Sequence, residues 1–369
     1  MGVSVILPTK NEEKAIAFCI EEIKKVFEEN KIEGEIIVAD YSTDSTPEIA
    51  ENLGAKVIRA DKAGYGYAYK LGFQNAKHET IVMCDADGSY DFREIPKLLN
   101  ALNDADIVIG SRFLGKIEKG AMKWLHRYIG NPILTWFLNF FFKTNLSDAH
   151  SGFRALKKDV IEKMKLLSDG MDFASEMVVQ AKRKGLKMVE VPITYRKRIG
   201  EAKLRTFSDG WRHVKFMLLH APTHLYFIPG LTLAIFGAFL ILMTFFKVRI
   251  LYNPGIHTMI LGSLLLLCGY NIIFFGLFAA IYGHRRDIVD LNGLVGKIIS
   301  KLSLERGIAI GLAVLLLGVL YTSYLVLQWA NTGFKFLPPA IENFLAFVLL
   351  VLGIQTILAS FLLSFVSER

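Results

Sequence analysis

Residues 81–92 read IVMCDADGSYDF. An apolar run, Ile81 to Cys84, stops at Asp85-Ala86-Asp87. A buried strand ending in two carboxylates puts them where open α/β sheets bind ligands, outside the carboxyl ends of the strands. The flanks decide whether such a sheet exists. VSVILP (3–8), EIIVAD (35–40), AKVIRA (55–60), TIVMCD (80–85) and ADIVIG (105–110) are short apolar runs. Helical patterns separate them: about Glu12 to Glu29, a stretch capped near Ser45 with Pro47 in its first turn, about Gly64 to Ala76, and about Arg93 to Leu102. This alternation predicts an α/β fold with a doubly wound, mostly parallel sheet covered by helices. Asp40, Asp85, Asp87 and Arg112 then fall at strand ends and are expected to converge on one crevice.

On an extended chain residues i and i+2 point the same way, so Asp85 and Asp87 can offer oxygens to one hard cation, Mg2+ or Mn2+. An isolated D-x-D reads equally as a cap for the helix near Arg93 beside a solvated turn.

The chain has 369 residues, enough for two domains. Four stretches lack Asp, Glu, Lys and Arg: 216–246, 250–284, 307–334 and 343–367. Each exceeds the roughly 20 residues that cross a bilayer as a helix. The expectation is a globular domain over 1–204, an interfacial helix over 205–222 ending before Pro222, and a membrane domain over 223–369. Its helices are expected at about 223–246, 256–283, 307–330 and 340–366. MGVSVILPTKNEE lacks the basic n-region of a signal peptide, and Ile6 breaks the myristoylation pattern. Arg285, Arg286, Lys297, Lys301 and Arg306 lie between the second and third spans, so the globular domain and that loop are expected to face the cytoplasm. A net charge of +8 fits contact with anionic membrane lipids rather than nucleic acid. Cys19, Cys84 and Cys268 have no zinc or disulfide spacing, and nothing in the sequence sets an oligomeric state.

Six motifs occur in order: VILPTKNEE, IIVADYSTDST, VMCDADGS, IGSRF, SDAHSGFRAL and VPITYRKRIGEAKL. Together, over residues 3 to about 205, they resemble the family 2 inverting glycosyltransferases of the GT-A fold, and more narrowly the polyprenyl-phosphate (dolichyl-phosphate) hexose synthases. The resemblance implies inverting transfer of a hexose from a nucleotide-diphosphate sugar, UDP-glucose or GDP-mannose, to dolichyl or polyprenyl phosphate. It implies that Pro8, Lys10, Glu12, Val38 and Asp40 border the nucleotide. Asp85 and Asp87 would hold the metal on the diphosphate, with Ser89 beside it and Ala86 against the donor. Arg112, Arg198 and Lys203 would contact phosphates; Arg112, Arg127 and Asn131 would meet the lipid phosphate; Glu176 would lie near the sugar. Three departures flank the base and sugar pockets. Lys10 stands where the family usually has an aromatic residue, Ala39-Asp40-Tyr41 where it has two acids and Gly, and Gly88-Ser89 where mannose synthases often have Leu-Gln. Lys10 and Gly88-Ser89 incline the donor towards UDP-glucose.

KWLHRYIGNPILTWFLNFFFK (123–143) has a charge-free run of only 15 residues, Tyr128 to Phe142, and contains Pro132. It reads as an interfacial helix with Arg127 and Asn131 on one face, or as a core helix from which Arg127 snorkels. Glu176 in DGMDFASEMVVQAKRKG interrupts an otherwise apolar face and reads equally as solvated. Asp148, Ser151 and Arg154 form either a brace around the sugar pocket or a turn with a surface ion pair. His150 is the nearest candidate base, and a structural role is preferred. AGYGYAYKLG (63–72) lacks the third glycine of a dinucleotide fingerprint, but a glycine-started helix near a phosphate, with Lys62 beside it, remains. The basic YRKRIGEAKL reads as a mobile lid or as a patch for lipid headgroups. Two rival functions differ in class. A processive polysaccharide synthase usually carries Gln-x-x-Arg-Trp, which this sequence lacks. A nucleotide-sensing transporter subunit needs ionisable residues in its spans, and these have almost none.

Overall fold

The computed structural model describes residues 2–200, 206–249, 253–286, 288–291, 293–301 and 303–367. The chain forms two compact units, one ending at Met217 and one beginning at Leu218. In order, the first contains β1 (Gly2–Thr9), α1 (Ile16–Glu29), β2 (Glu33–Asp40), α2 (Thr46–Asn52), β3 (Lys56–Arg59), α3 (Tyr65–Asn75) and β4 (Thr80–Met83). There follow α4 (Ile95–Ala101), β5 (Ile107–Ile117), α5 (Asn131–Phe142), β6 (Arg154–Lys157), α6 (Lys158–Met164), α7 (Phe173–Arg183), β7 (Met188–Tyr195) and the greater part of α8 (Thr206–His220).

The strands form one sheet in the order β3-β2-β1-β4-β6-β5-β7. The pairs β1–β2, β1–β4, β2–β3 and β5–β7 are parallel, and β6 is antiparallel to both β4 and β5. Alternation of side chains along each strand builds two cores. Val5, Leu7, Val38 and Val82 face α1 and α4. Ile6, Ile37, Ile81 and Met83 face α3, α5, α7 and the Phe216-Met217 end of α8. Burial on both faces explains why these strands read as continuous apolar runs.

The differences from expectation are local. The first helix begins at Ile16 rather than Glu12, because residues 12–15 form a turn in which the Ala15 and Ile16 amides both donate to the Glu12 carbonyl. β6 lies outside the five runs that the sequence marks as strands, since four residues, RALK, are too few to show a period. The cap near Arg93 is neither Asp85 nor Asp87 but Asp91, which accepts from the Arg93 amide.

The second unit contains α9 (Ile228–Phe245), α10 (Ile256–Arg285), α11 (Gly293–Lys301), α12 (Leu304–Asn331) and α13 (Ala340–Ser367). Four helical stretches, Thr223–Phe245, Ile256–Arg285, Leu304–Asn331 and Ala340–Ser367, are long and apolar enough to cross a membrane. α9 and α10 meet through small residues: a Cβ on Gly237 would lie 2.6 Å from the Gly262 carbonyl oxygen. Tyr270 of α10 donates to Thr356 Oγ1 of α13 at 3.0 Å.

Candidate active site

A crevice of about 900 Å³ opens in the first unit beyond the ends of β1, β2 and β4. Asp85 and Asp87 lie on it, just past β4. Their turn requires Gly88, whose φ is +71°, the left-handed region disfavoured for side-chain-bearing residues. Asp87 Oδ1 accepts from the Ser89 amide at 3.0 Å. Tyr65, the first residue of α3, donates its hydroxyl to Asp85 Oδ1 at 3.1 Å. Gly152 permits this approach, since a Cβ there would sit 2.7 Å from the Tyr65 hydroxyl and 3.0 Å from Asp85 Oδ2. Burial, and then the neighbouring Asp87, pushes the Asp85 carboxyl above the usual carboxylate range.

Two arginines face these acids. Arg198 Nη2 lies 3.1 Å from Glu12 Oε1 and 3.5 Å from Asp87 Oδ2, and its buried Nε has no hydrogen-bond partner among the described residues. Arg112 is buried and pairs bidentately with Asp148, Nε to Oδ2 at 2.7 Å and Nη2 to Oδ1 at 2.8 Å. Asp148 is fixed in turn by Glu190, which accepts from its amide at 2.8 Å. The guanidinium of Arg112 lies over the Tyr195 ring, 5.3 Å from its centre. The segment after β7 is strapped onto the acidic turn: the Arg196 amide donates to the Ser89 carbonyl at 2.7 Å and the Ile199 amide to the Asp87 carbonyl at 2.8 Å.

Lys123, His126 and Asn131, and Arg212 and His213 of α8, also line the crevice. His150 Nε2 and His213 Nδ1 both meet Ser175 Oγ, at 3.1 and 2.8 Å. Burial pushes both imidazoles down, His213 to about 4. His150 is therefore a weak base tied into a hydrogen-bonded bridge.

Of the residues singled out in the sequence, Pro8, Lys10, Glu12 and Lys62 line the crevice beside Asp85, Ala86 and Asp87, as do Arg112, Asn131 and Arg198. Lys62 Nζ is engaged by Asp169 at 2.7 Å and lies over the Tyr67 ring. Five others lie off the crevice. Val38 is wholly buried in the core within β2. Asp40 turns away into a network with Thr9, Ser42 and Arg59. Ser89 is buried behind the acidic turn, where its amide holds Asp87. Glu176 is neither solvated nor on the crevice: buried on α7, it accepts from the Leu167 and Ser168 amides, each at 2.8 Å. Arg127 lies outside the crevice with its guanidinium over the Tyr128 ring. The cause is a π-helical turn, His126–Gly130, which widens the spacing and breaks the expected i, i+4 face shared with Asn131.

Arg154 is buried rather than in a surface ion pair, and donates to the Ser151, Ala149 and Ala174 carbonyls. Lys203 lies outside the described residues. Sequence reasoning missed Tyr65, Lys123, His126 and Arg212; only Tyr65 carried a signal, as the residue after Gly64 in a helix start already noted.

The acidic pair fits Mg2+ or Mn2+. Its donors are carboxylate oxygens, which hard cations take. Burial of one acid against another is costly without a cation, and Arg198 presents beside it a buried N–H that has no partner among the described residues. Among the described residues no group of three or more His, Cys, Asp or Glu could hold a metal ion. That suits a cation whose remaining ligands are water and substrate phosphates.

Fold, strand-end carboxylates and membrane-length helices together define an integral-membrane glycosyltransferase. Residues 4–165 match the model of glycosyl transferase family 2, and residues 277–367 that of the glycosyltransferase family 2 C-terminal transmembrane region. The low-salt glycan biosynthesis hexosyltransferase Agl6 of Haloferax volcanii is 45% identical over 99% of this chain and 89% of its own length. The chain belongs to glycosyltransferase family 2. The dolichyl-phosphate hexose transferase of Haloferax volcanii is 32% identical, covering 56% of this chain and 89% of that protein. The dolichol-phosphate mannosyltransferase of Pyrococcus furiosus is 34% identical, covering 58% and 63%. Among solved structures, glucosyl-3-phosphoglycerate synthase from Mycobacterium tuberculosis with Mn2+, uridine diphosphate and glucosyl-3-phosphoglycerate is similar at a TM-score of 0.47 and 22% identity, over 59% of this chain and 78% of that one.

Proposed function

We propose that this glycosyltransferase moves a hexose, with inversion, from a nucleotide-diphosphate sugar to dolichyl or polyprenyl phosphate on the cytoplasmic face of the membrane. UDP-glucose is the favoured donor and GDP-mannose the other. The observation that carries this reading is one crevice lined by Asp85, Asp87, Arg198 and Arg112 together with Lys123, His126 and Arg212. The names of the two dolichyl-phosphate relatives support the acceptor, and the basic residues between α10 and α12 support the orientation.

Asp85 and Asp87 would hold Mg2+ or Mn2+. When bound, the ion supplies positive charge against the diphosphate that leaves. The protein's own side chains do the rest. Arg198 turns an N–H towards the same anion, and Tyr65 fixes the Asp85 carboxylate so that its geometry needs no rearrangement. A phosphate monoester has a second pKa of about 6 and is largely dianionic at neutral pH. Its oxygen attacks the anomeric carbon as the bond to the diphosphate breaks, and the diphosphate leaves with the electron pair. No proton need be removed, which agrees with imidazoles held low and bridged by Ser175. Cationic side chains lining the crevice would bring two anions together, which is the main task.

The test is transfer of radiolabelled sugar from UDP-glucose and GDP-mannose into an organic-extractable, acid-labile lipid. Asp87→Ala is expected to lower the rate roughly 100- to 1000-fold while the protein still folds and inserts. Wild-type turnover in that variant overturns the metal assignment.

A further inference from the structure

Glu176, an acid that the crevice leaves unused, stands at the root of a chain of contacts that ends on Asp85. It is buried on α7, 3% exposed, where a carboxylate needs hydrogen bonds to offset its lost hydration. Both oxygens are spent on the loop between α6 and α7. Oε1 accepts from the Leu167 amide and Oε2 from the Ser168 amide, each at 2.8 Å. Two charge-assisted bonds to one rigid carboxylate fix the orientation of both peptides.

Loop 165–172 in turn carries the start of α3. Gly64, at the N-cap of α3, has no side chain to satisfy the free amides of the first turn. The Asp169 carbonyl takes that part, accepting from the Tyr67 amide at 3.2 Å. Lys70 of α3 reaches back to the same loop, donating to the Leu167 carbonyl at 2.7 Å and pairing with Asp169 Oδ1 at 2.6 Å. Two glycines let the backbones meet. A Cβ on Gly64 would lie 2.5 Å from the Asp169 carbonyl oxygen, and one on Gly66 would lie 2.4 Å from that of Ser168. Between these glycines stands Tyr65, whose hydroxyl meets Asp85 Oδ1 at 3.1 Å. Its ring packs edge-on against Tyr69, 5.0 Å between centres, and Tyr69 stacks on Phe173 of α7. α7 therefore reaches the Tyr65 turn twice, through the loop and through the rings.

We propose that Glu176 is a positioning residue of the metal site, an inference that rests on the metal reading above. It touches no ligand; by fixing loop 165–172 against α3 it sets where the Tyr65 hydroxyl meets Asp85. Removing a group that orients a metal-binding side chain costs about ten- to a hundredfold in metal affinity. Glu176→Gln keeps the shape but turns one acceptor into an NH2 donor facing a backbone N–H, so one of the two anchors is lost.

The experiment is titration of the full-length protein in detergent with MnCl2, alone and with UDP or GDP present. Protein-bound Mn2+ is read from its enhancement of water-proton relaxation. Tyr65→Phe and Glu176→Gln are each expected to weaken Mn2+ binding about tenfold. The double variant is expected to bind within about twofold of Tyr65→Phe, because both changes act through one hydrogen bond; independent effects would multiply to about a hundredfold. Should Glu176→Gln fail to fold, Lys70→Met, at a half-buried site, loosens the same loop and carries the same cycle. Loss of its positive charge alone would favour the cation, so weaker Mn2+ binding there, absent when Tyr65 is already Phe, reports the positioning route. A folded variant with wild-type Mn2+ affinity, or a double variant in which the losses multiply, overturns the inference while leaving the metal reading standing. Wild-type protein that binds no Mn2+ under any of these conditions overturns the metal reading and this inference with it.

Discussion

Asp148 shows how much of the site is held by residues that need not touch a ligand. Its carboxylate is wholly buried, and both its oxygens are used by Arg112. Removing one partner of such a pair strands a buried charge, so Asp148→Asn is expected to cost about 3–5 kcal/mol. Thermal melts of the detergent-solubilised protein check this; a shift no larger than that of a surface substitution would contradict it. His213 gives a second prediction. In the unfolded chain its imidazole takes a proton near the ordinary value of about 6.5. In the fold it resists until about pH 4. Between those values the unfolded chain holds more protons, so stability rises with pH and is lost as pH falls from about 6.5 towards 4. The melting temperature should drop over that window, and His213→Asn, which keeps a polar atom for Ser175 but does not titrate, should flatten the drop. An identical slope in both proteins would remove His213 as its source.

At the scale of the element, α5 and the π-helical turn before it are the most informative. Ile129, Ile133, Trp136 and Phe140 recur at helical spacing and are all exposed, Trp136 by 57%. Thr135 and Leu138 are buried on the opposite side. A helix with large aromatics towards solvent and basic residues at its start has the composition of an interfacial helix. Replacing Ile133, Trp136 and Phe140 together by Ser should raise the KM for the lipid acceptor by about tenfold and leave donor binding unchanged. Assay with donor titration and with acceptor in vesicles separates the two, and a donor-affinity defect alone would count against an interfacial role. The sequence pattern predicted this helix but not its π turn, because a single turn of five residues, His126–Gly130, is too short to show a period of its own. That turn puts His126 rather than Arg127 on the crevice.

At the scale of the whole molecule, the chain joins a family 2 catalytic unit to four membrane-length helices. With Arg285, Arg286, Lys297, Lys301 and Arg306 in one loop, the catalytic unit, that loop and the C-terminus should share the cytoplasmic side. Single cysteines introduced at Lys24 and Lys297, in a background without the native thiols, should label together in inside-out vesicles. A cysteine at Lys335 should label from the opposite side. Any other grouping overturns the orientation.

The apolar runs and the helical periods between them made the sheet, its helices and the four membrane-length stretches legible in the sequence, because burial on both faces of a parallel strand and passage through hydrocarbon each leave a continuous apolar signature. The acidic pair at the end of β4 was legible for the same reason: polar residues where a buried run stops stand out. Tertiary structure decided what no local pattern encodes, namely which strand-end side chains turn outward. Asp40 and Asp85 end similar strands, yet Asp40 is drawn into a network with Thr9, Ser42 and Arg59 while Asp85 lies on the crevice beside Tyr65. Each carboxylate goes to the partners that best offset its burial, and those partners come from residues distant in the chain.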